Sequence, residues 1–194
     1  ILTLTEAVEY LRETAASALA AASAANLTVE MIVPVPQGAE DAVRTVLRDL
    51  ACRILPVAEE HPAAWNNRGA EAASGDLLLF LQEGVIFTAE SLGTMERVFF
   101  FDERVAAVGP YGNHTIFSWQ YINAESIIAG GTDPEAWVRE HRKETTASAF
   151  LEGFALLVRR AVFFKHGKFD EAFEGSSGAD IDLSFRLRCA GYTL

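Results

Sequence analysis

The spacing of apolar positions changes several times along the chain, and each change marks an element. Leu4, Val8, Leu11, Ala15, Ala18 and Ala22 recur at helical spacing after Thr3-Leu4-Thr5-Glu6, a stretch that reads as a capping box. This predicts a lead-in helix within residues 1–26, ending at Ser23–Asn26, ahead of a domain over 27–194. From Thr28 the texture alternates. Thr28–Val35 is β-branched and apolar, as in a buried strand, and Ala42, Val43, Val46, Leu47 and Leu50 then form an amphipathic helical face. Arg53–Val57 predicts a short strand and Ala63–Ser74 a helix. Gly75-Asp76 then turns the chain into the apolar strand Leu77–Leu81. Thr88 opens a helix carrying Leu92, Met95, Val98 and Phe99, followed by a strand at Val105–Val108. Such alternation predicts a mostly parallel sheet covered by helices on both faces.

The later part is less regular. Tyr111–Thr132 reads as loop, punctuated by Gly112, Asn113, Gly130 and Gly131. Asp133-Pro134-Glu135 is a helix start, with an Asp cap, Pro at the first helical position and acid in the first turn. Phe154–Val158 predicts a strand, and Asp180–Arg188 a helix closed by Gly191.

Half of the 194 residues are apolar, enough for one folded domain with a substantial core. The net charge of −11 argues against nucleic acid and anionic membrane as partners. It also disfavours a nucleotide diphosphate unless a cation or a local basic pocket intervenes. Cys52 and Cys189 show no metal spacing and read as two buried reduced thiols, with a disulfide as the alternative. No signal peptide and no membrane-spanning apolar run is visible, so a cytoplasmic location is expected. The chain opens at Ile1 without a Met and stops at Leu194 as a strand begins. It reads as a piece of something larger, truncated at its C-terminus and accompanied by other domains.

Several segments, in order, resemble the family-2 inverting glycosyltransferases of GT-A fold. Ile32-Val33-Pro34-Val35-Pro36-Gln37 is similar to the first strand and its Pro-x-x-Asn end, with Gln37 in place of Asn. Asn67-Arg68-Gly69, with Ala72, Ala73, Gly75 and Asp76, is similar to the helix ahead of the metal strand, and Leu78–Leu81 to that strand. Gly153 with Leu156–Arg160 resembles the acceptor-side strand. Gly167-Lys168-Phe169-Asp170-Glu171-Ala172-Phe173 resembles the Gly-Gly-Phe-Asp-Glu-x-Phe turn, and Gly178–Leu183 with Arg186 and Gly191-Tyr192 the late Glu-Asp-x-Asp-Leu helix. The resemblance implies a GT-A (Rossmann-like) α/β fold, a nucleotide-sugar donor and a saccharide or protein acceptor. It also implies nucleotide-side roles for Pro34, Gln37, Asn67, Gly69 and Glu83, and acceptor-side roles for Gly153 and Asp182.

Two departures from the family pattern shape the functional expectation. The family carries an Asp-x-Asp motif after the Leu-rich strand, whose carboxylates hold Mg²⁺ or Mn²⁺ against the donor diphosphate. Here Gln82-Glu83-Gly84 stands there, so no metal is expected; His166 stands where some GT-A enzymes place a late metal ligand. The segment between Arg53 and Asn67 is short by about one strand–helix unit, so the nucleotide half reads as cut down, with Glu59 or Glu60 as substitutes for the missing acid. Asp180 occupies the place of the family's general base, although an Asp there also caps a helix. Asp182 and Arg186 are spaced for an ion pair. Tyr111, Trp119, Tyr121 and Trp137 read either as a sugar-stacking wall or as core and rim. Two functions follow: inverting sugar transfer aided by Asp180, or a non-catalytic GT-A-like binding or scaffolding module.

Overall fold

The computed structural model describes residues 1–3, 8–59, 61–115, 118–141, 144–173 and 178–194. The elements in chain order are β1 (Leu2–Thr3), α1 (Val8–Ala24), β2 (Ile32–Pro36), α2 (Glu40–Leu47), β3 (Arg53–Val57), α3 (Pro62–Ala72) and β4 (Leu77–Gln82). They continue with α4 (Ser91–Phe101), β5 (Ala107–Val108), α5 (Ala124–Ala129), α6 (Pro134–His141), β6 (Ala155–Arg159), α7 (Arg160–Lys165) and α8 (Ala179–Cys189). Strands β1, β4, β6 and β5 form one sheet in that order, and β2 pairs with β3 in a second sheet, with β2 lying beside β1. The β1–β4 and β2–β3 ladders are parallel. Among the described strands only β6 runs against its neighbours, between β4 and β5.

The two-residue period of the central strands decides the layers. Leu81 of β4 and Ala155 and Leu157 of β6 join one core with Leu11 and Ala15 of α1, Val43 and Leu47 of α2, and Leu92, Met95 and Phe99 of α4. Their neighbours Leu78 and Phe80, with Leu156 and Val158, join a second core with Ala63 and Ala70 of α3, Val162 and Phe163 of α7, and Leu183 and Leu187 of α8. Helices therefore cover both faces, and the apolar runs of β4 and β6 follow from that double burial. The second core centres on Phe80, whose ring lies 4.9 Å from Phe163 and 4.7 Å from Phe169.

The N-terminus departs from the sequence expectation. Leu2 and Thr3 form a strand paired with Leu81 and Gln82, and the buried Thr3 hydroxyl donates to Asn66 Oδ1 at 2.6 Å. Thr3 therefore caps no helix; the rest of the expected capping box lies outside the described residues. Counting β1, three strand–helix units precede β4, so the nucleotide half is not short by one. Ile32–Pro36 is the second strand, not the first. Sequence reasoning missed β1 because its partner is nearly eighty residues away. Other local expectations fare better: Asp133 Oδ2 accepts from Ala136 N at 3.1 Å at the start of α6. The stretch expected as loop holds α5, with Asn123 accepting from Ser126 N. Cys52 is half-buried, whereas Cys189 is exposed rather than buried; both are free thiols.

One side chain joins the two halves of the second face. Asn67, 1% exposed, donates from Nδ2 to Phe169 O and Glu171 Oε1, both at 2.9 Å, and accepts from Phe169 N at 3.1 Å. This clamp ties α3 to the turn that leads towards α8. Asn67→Ala leaves a buried N–H and C=O without partners and is expected to cost about 2–3 kcal/mol in urea unfolding. A loss under about 0.5 kcal/mol, the level of an ordinary surface change, would count against the clamp.

Candidate functional site

In open α/β sheets ligands bind beyond the carboxyl ends of the parallel strands, where the strand order reverses. Here β1 leads to β2 on one side and pairs with β4 on the other, so the reversal falls between the ends of β1 and β4. Backbone bonds gather this edge: Glu83 N donates to Thr3 O at 3.3 Å, and Gln82 N to Phe154 O at 2.9 Å. Gly153 N then donates to Asp180 Oδ2 at 2.6 Å. Thr3, Gln82, Glu83, Gly153 and Asp180 thus meet around one mouth. Gln37 is exposed at the end of β2, its N–H on Val57 O at 3.1 Å.

Asp180 is 8% exposed, and its carboxylate accepts three backbone N–H groups. Oδ1 takes Gly178 N at 3.1 Å and Ile181 N at 2.9 Å, and Oδ2 takes Gly153 N. It therefore does more than cap: it fastens the start of α8 to the strand entering the mouth. Gly153 has a matching reason to be glycine, since a Cβ there would lie 3.1 Å from Asp180 Oδ2. Asp182 is paired with Arg186 at 2.7 Å. Arg186 also donates to Lys168 O at 2.7 Å and to His166 O, so this ion pair holds the turn beside α8.

The remaining nucleotide-side candidates are engaged elsewhere. Pro34 is buried in the middle of β2, and a Cβ on Gly69 would lie 3.1 Å from its Cγ and 2.6 Å from Ile1 Cγ2. Gly69 therefore permits close packing of α3 on the strands. Asn67 is used whole by its clamp. Glu59 is held by Arg68, Oε1 to Nη2 2.7 Å, and that bond keeps its carboxyl below the usual carboxylate range. Glu60 lies outside the described residues. A hollow of about 430 Å³ opens between α3 and α8, lined by Asn67, His166, Lys168, Glu171 and Arg186 among others. No residue of the strand ends lines it, and Lys168 and Arg186 already pair with Glu71 and Asp182.

The mouth does not fit a divalent metal. Hard cations need several oxygen ligands. Gln82 brings no charge, and Gly84 no side chain. Gly84 sits at φ +88°, and its N–H is tied to Thr14 Oγ1 of α1 at 2.8 Å. Among the described residues no group of three or more His, Cys, Asp or Glu is placed to hold a metal ion. The Nε2 atom of His166 is buried without a hydrogen-bond partner, and its ring meets the edge of Tyr192.

In the segment just before β6, sequence reasoning singled out Gly153 and not its neighbours Leu151 and Glu152. The N–H groups of this segment alternate: Leu151 N donates to Ser184 Oγ at 3.1 Å and Gly153 N to Asp180, both on α8. Glu152 N, between them, donates to Gln120 Oε1 at 2.7 Å on the loop before α5. The partners of the segment, on α8 and on the loop before α5, are remote in sequence.

No family model matches the chain. It is 28% identical over 159 residues to O-antigen biosynthesis protein RfbC of Myxococcus xanthus, which covers 72% of this chain and 12% of that protein. Among solved structures it is similar to GalNAc-T7 with UDP, GalNAc and Mn²⁺ (TM-score 0.66, 13% identity, 100% of this chain and 41% of that one). It is also similar to the mannosyltransferase PcManGT from Pyrobaculum calidifontis in complex with GDP-Man and Mn²⁺ (0.64, 17%, 99% and 52%). A third is the glucosyl-3-phosphoglycerate synthase of Mycobacterium tuberculosis with UDP (0.59, 16%, 94% and 62%). The chain spans about an eighth of the curated relative and under two thirds of each of these structures. Among the described residues no helix is long and apolar enough to cross a membrane. The chain has a GT-A-like glycosyltransferase fold, with a mostly parallel Rossmann-like sheet between two layers of helices.

Proposed function

We propose that this chain is the core of a sugar-transfer domain, moving a sugar from a nucleotide-sugar donor to an acceptor hydroxyl with inversion, and that Asp180 is its base. The observation that carries this reading is the placement of the Asp180 carboxylate, fastened to Gly153 at the mouth of the sheet. A carboxylate offers about four lone-pair sites, and three N–H bonds leave one for a hydroxyl. In the transfer the acceptor O–H gives its proton to Asp180 while its oxygen bonds to the anomeric carbon. The bond from that carbon to the diphosphate breaks on the opposite face, and its electron pair leaves with the nucleotide. A single displacement of this kind inverts the anomeric centre. A base so placed contributes roughly 10²–10⁴ in rate. Gln37 and Glu83, at the ends of β2 and β4, are the donor-side candidates.

One observation favours a second reading, a non-catalytic GT-A-like module beside an active partner. The turn after β4 is tied to α1 through Gly84 N–Thr14 Oγ1 and Phe87 N–Ser17 Oγ, and it supplies no cation site to offset a diphosphate. UDP is accordingly expected to bind more weakly than about 1 mM, on the order of −4 kcal/mol, with or without Mn²⁺. A calorimetric Kd in the low micromolar range that EDTA abolishes would show that the turn ligates metal. Placing Asp at 82 and 84 is not expected to create that site, because Gly84 sits at a positive φ and its N–H serves α1.

The role of Asp180 needs a control matched for stability, because an Asn amide presents one acceptor oxygen where the carboxylate presents two. Asp180→Asn is therefore expected to lower stability by about 1–3 kcal/mol, the cost of an unmet buried N–H. Ser184→Ala removes the neighbouring acceptor on α8, which holds Leu151 N, and is expected to cost a similar amount. Assayed in the full protein that carries this chain, Asp180→Asn should lose roughly 10²–10⁴ of turnover while Ser184→Ala keeps most of it. Equal losses in both would remove the base role. No transfer by the native protein from a broad nucleotide-sugar panel would favour the non-catalytic module.

A further inference from the structure

Between β5 and β6 the chain makes an excursion, residues 111–150, that carries α5 and α6 over the surface. Among its described residues only Gln120 is buried, at 4% exposure. The excursion thus reaches into the body through an amide, and both ends of that amide are used. Gln120 Oε1 accepts from Glu152 N at 2.7 Å, and Nε2 donates to Pro110 O at 3.3 Å. Gly109 leaves the space, since a Cβ there would lie 2.8 Å from Gln120 Nε2. The Gln120 backbone is held as well. Gly112 N donates to Gln120 O at 2.7 Å, and Ile122 N to Gly112 O at 2.9 Å. Gln120 is therefore a strut from the chain just after β5 to the segment ahead of β6.

We propose that Gln120 is a positioning residue for Asp180, acting through the backbone of Glu152 and Gly153. The inference rests on the proposed function in that Asp180 is the group positioned for the transfer. Of the three N–H groups on the Asp180 carboxylate, those of Gly178 and Ile181 belong to the start of α8 itself. They fix the carboxylate to its own helix and not to the sheet. Of the three, the Gly153 bond alone does that, at 2.6 Å. Glycine has the widest choice of backbone conformations, so the direction of the Gly153 N–H depends on what holds its neighbours. After it, Phe154 O accepts from Gln82 N of β4 at 2.9 Å; before it, Glu152 N is held by Gln120. Leu151 N is bonded to Ser184, on the same helix as Asp180, and so gives the segment no second point of reference. Gln120 does, because its amide is bonded to the carbonyl of Pro110, a residue whose ring fixes φ. A role confined to anchoring the excursion would end at Glu152 N. Positioning continues to Gly153 N, which is bonded to Asp180 rather than to Gln120.

The two roles separate in residue-resolved hydrogen exchange, read by mass spectrometry on the full protein. Gln120→Met keeps the bulk of the side chain and removes both bonds. Positioning predicts that the Gly153 N–H then exchanges about tenfold faster or more, the scale of losing one hydrogen bond. The amides of β4 and β6 should stay within about threefold. Faster exchange at Glu152 and Gly112 with Gly153 unchanged would reduce Gln120 to an anchor of the excursion and overturn the proposal. A rise shared equally by β4 and β6 would mark a loss of stability alone and overturn it as well. Should the Met variant fail to fold, Gln120→Asn, one methylene too short to reach Glu152 N, is read in the same way. Transfer gives a second measurement. In Gln120→Met kcat should fall about tenfold or more while donor and acceptor KM stay within about threefold, because a displaced base slows the step without loosening either substrate. An unchanged kcat would remove the positioning role. If the native protein transfers no sugar, the proposed reaction fails, and the exchange of Gly153 still decides whether Gln120 holds it.

Discussion

Residues 150–159 are the part of this molecule on which most of the rest depends. Over β6 they pair on both edges, with β4 and with β5, and they present alternate side chains to the two cores. Before β6, Phe154 O still accepts from Gln82 N of β4, but the N–H groups of Leu151, Glu152 and Gly153 are met by side chains. Asp180 and Ser184 serve one side, Gln120 and Trp119 the other. Buried backbone N–H groups must be paired, so this segment dictates where α8 begins and where the loop before α5 docks. The mouth of the sheet is a consequence of satisfying those groups.

The two sides of that mouth are built by different means. The side at Gly153 and Asp180 is made of short, buried contacts from side chains whose partners are backbone, which hold geometry well. The side beyond β4 ends in turns. After β4 the chain is turned onto α1 by Thr14 and Ser17, and Gly84 takes a positive φ that other residues adopt with strain. A metal site at this turn would need carboxylates that the sequence lacks and a backbone not already engaged by α1. The net charge of −11 adds to the difficulty of holding a diphosphate there. The mouth is thus asymmetric, with one side fixed by buried side-chain contacts and the other formed by turns held on α1.

Much of the fold was legible in the sequence, and the reasons are local. Leu77–Leu81 reads as a strand because five apolar residues lie between Asp76 and Gln82, and β4 lies there. Asp133-Pro134 reads as a helix start, and the Asp133 carboxylate accepts a first-turn N–H. The Asp182–Arg186 pair follows from spacing of four on a helix. What was not legible depends on partners far along the chain. Thr3 looked like a helix cap, but Leu2 and Thr3 satisfy their backbone groups on β4 instead, which made the second strand look like the first. Asn67 looked like a ligand, but its amide meets residues about a hundred positions away.

The sequence by itself therefore determined the alternation of strands and helices, the apolar faces that build two cores, and the absence of a charged pair after β4. Those properties rest on residue type and on periods of two or four residues. Only the tertiary structure decided the order of the strands, the reversed direction of β6, and the meeting of Asp180 with Gly153. It also decided that Gln120 is buried while Trp119 and Tyr121 remain open. Strand direction and neighbourhood are set by which buried backbone and polar groups can be paired at once across the whole chain, and no local pattern carries that information.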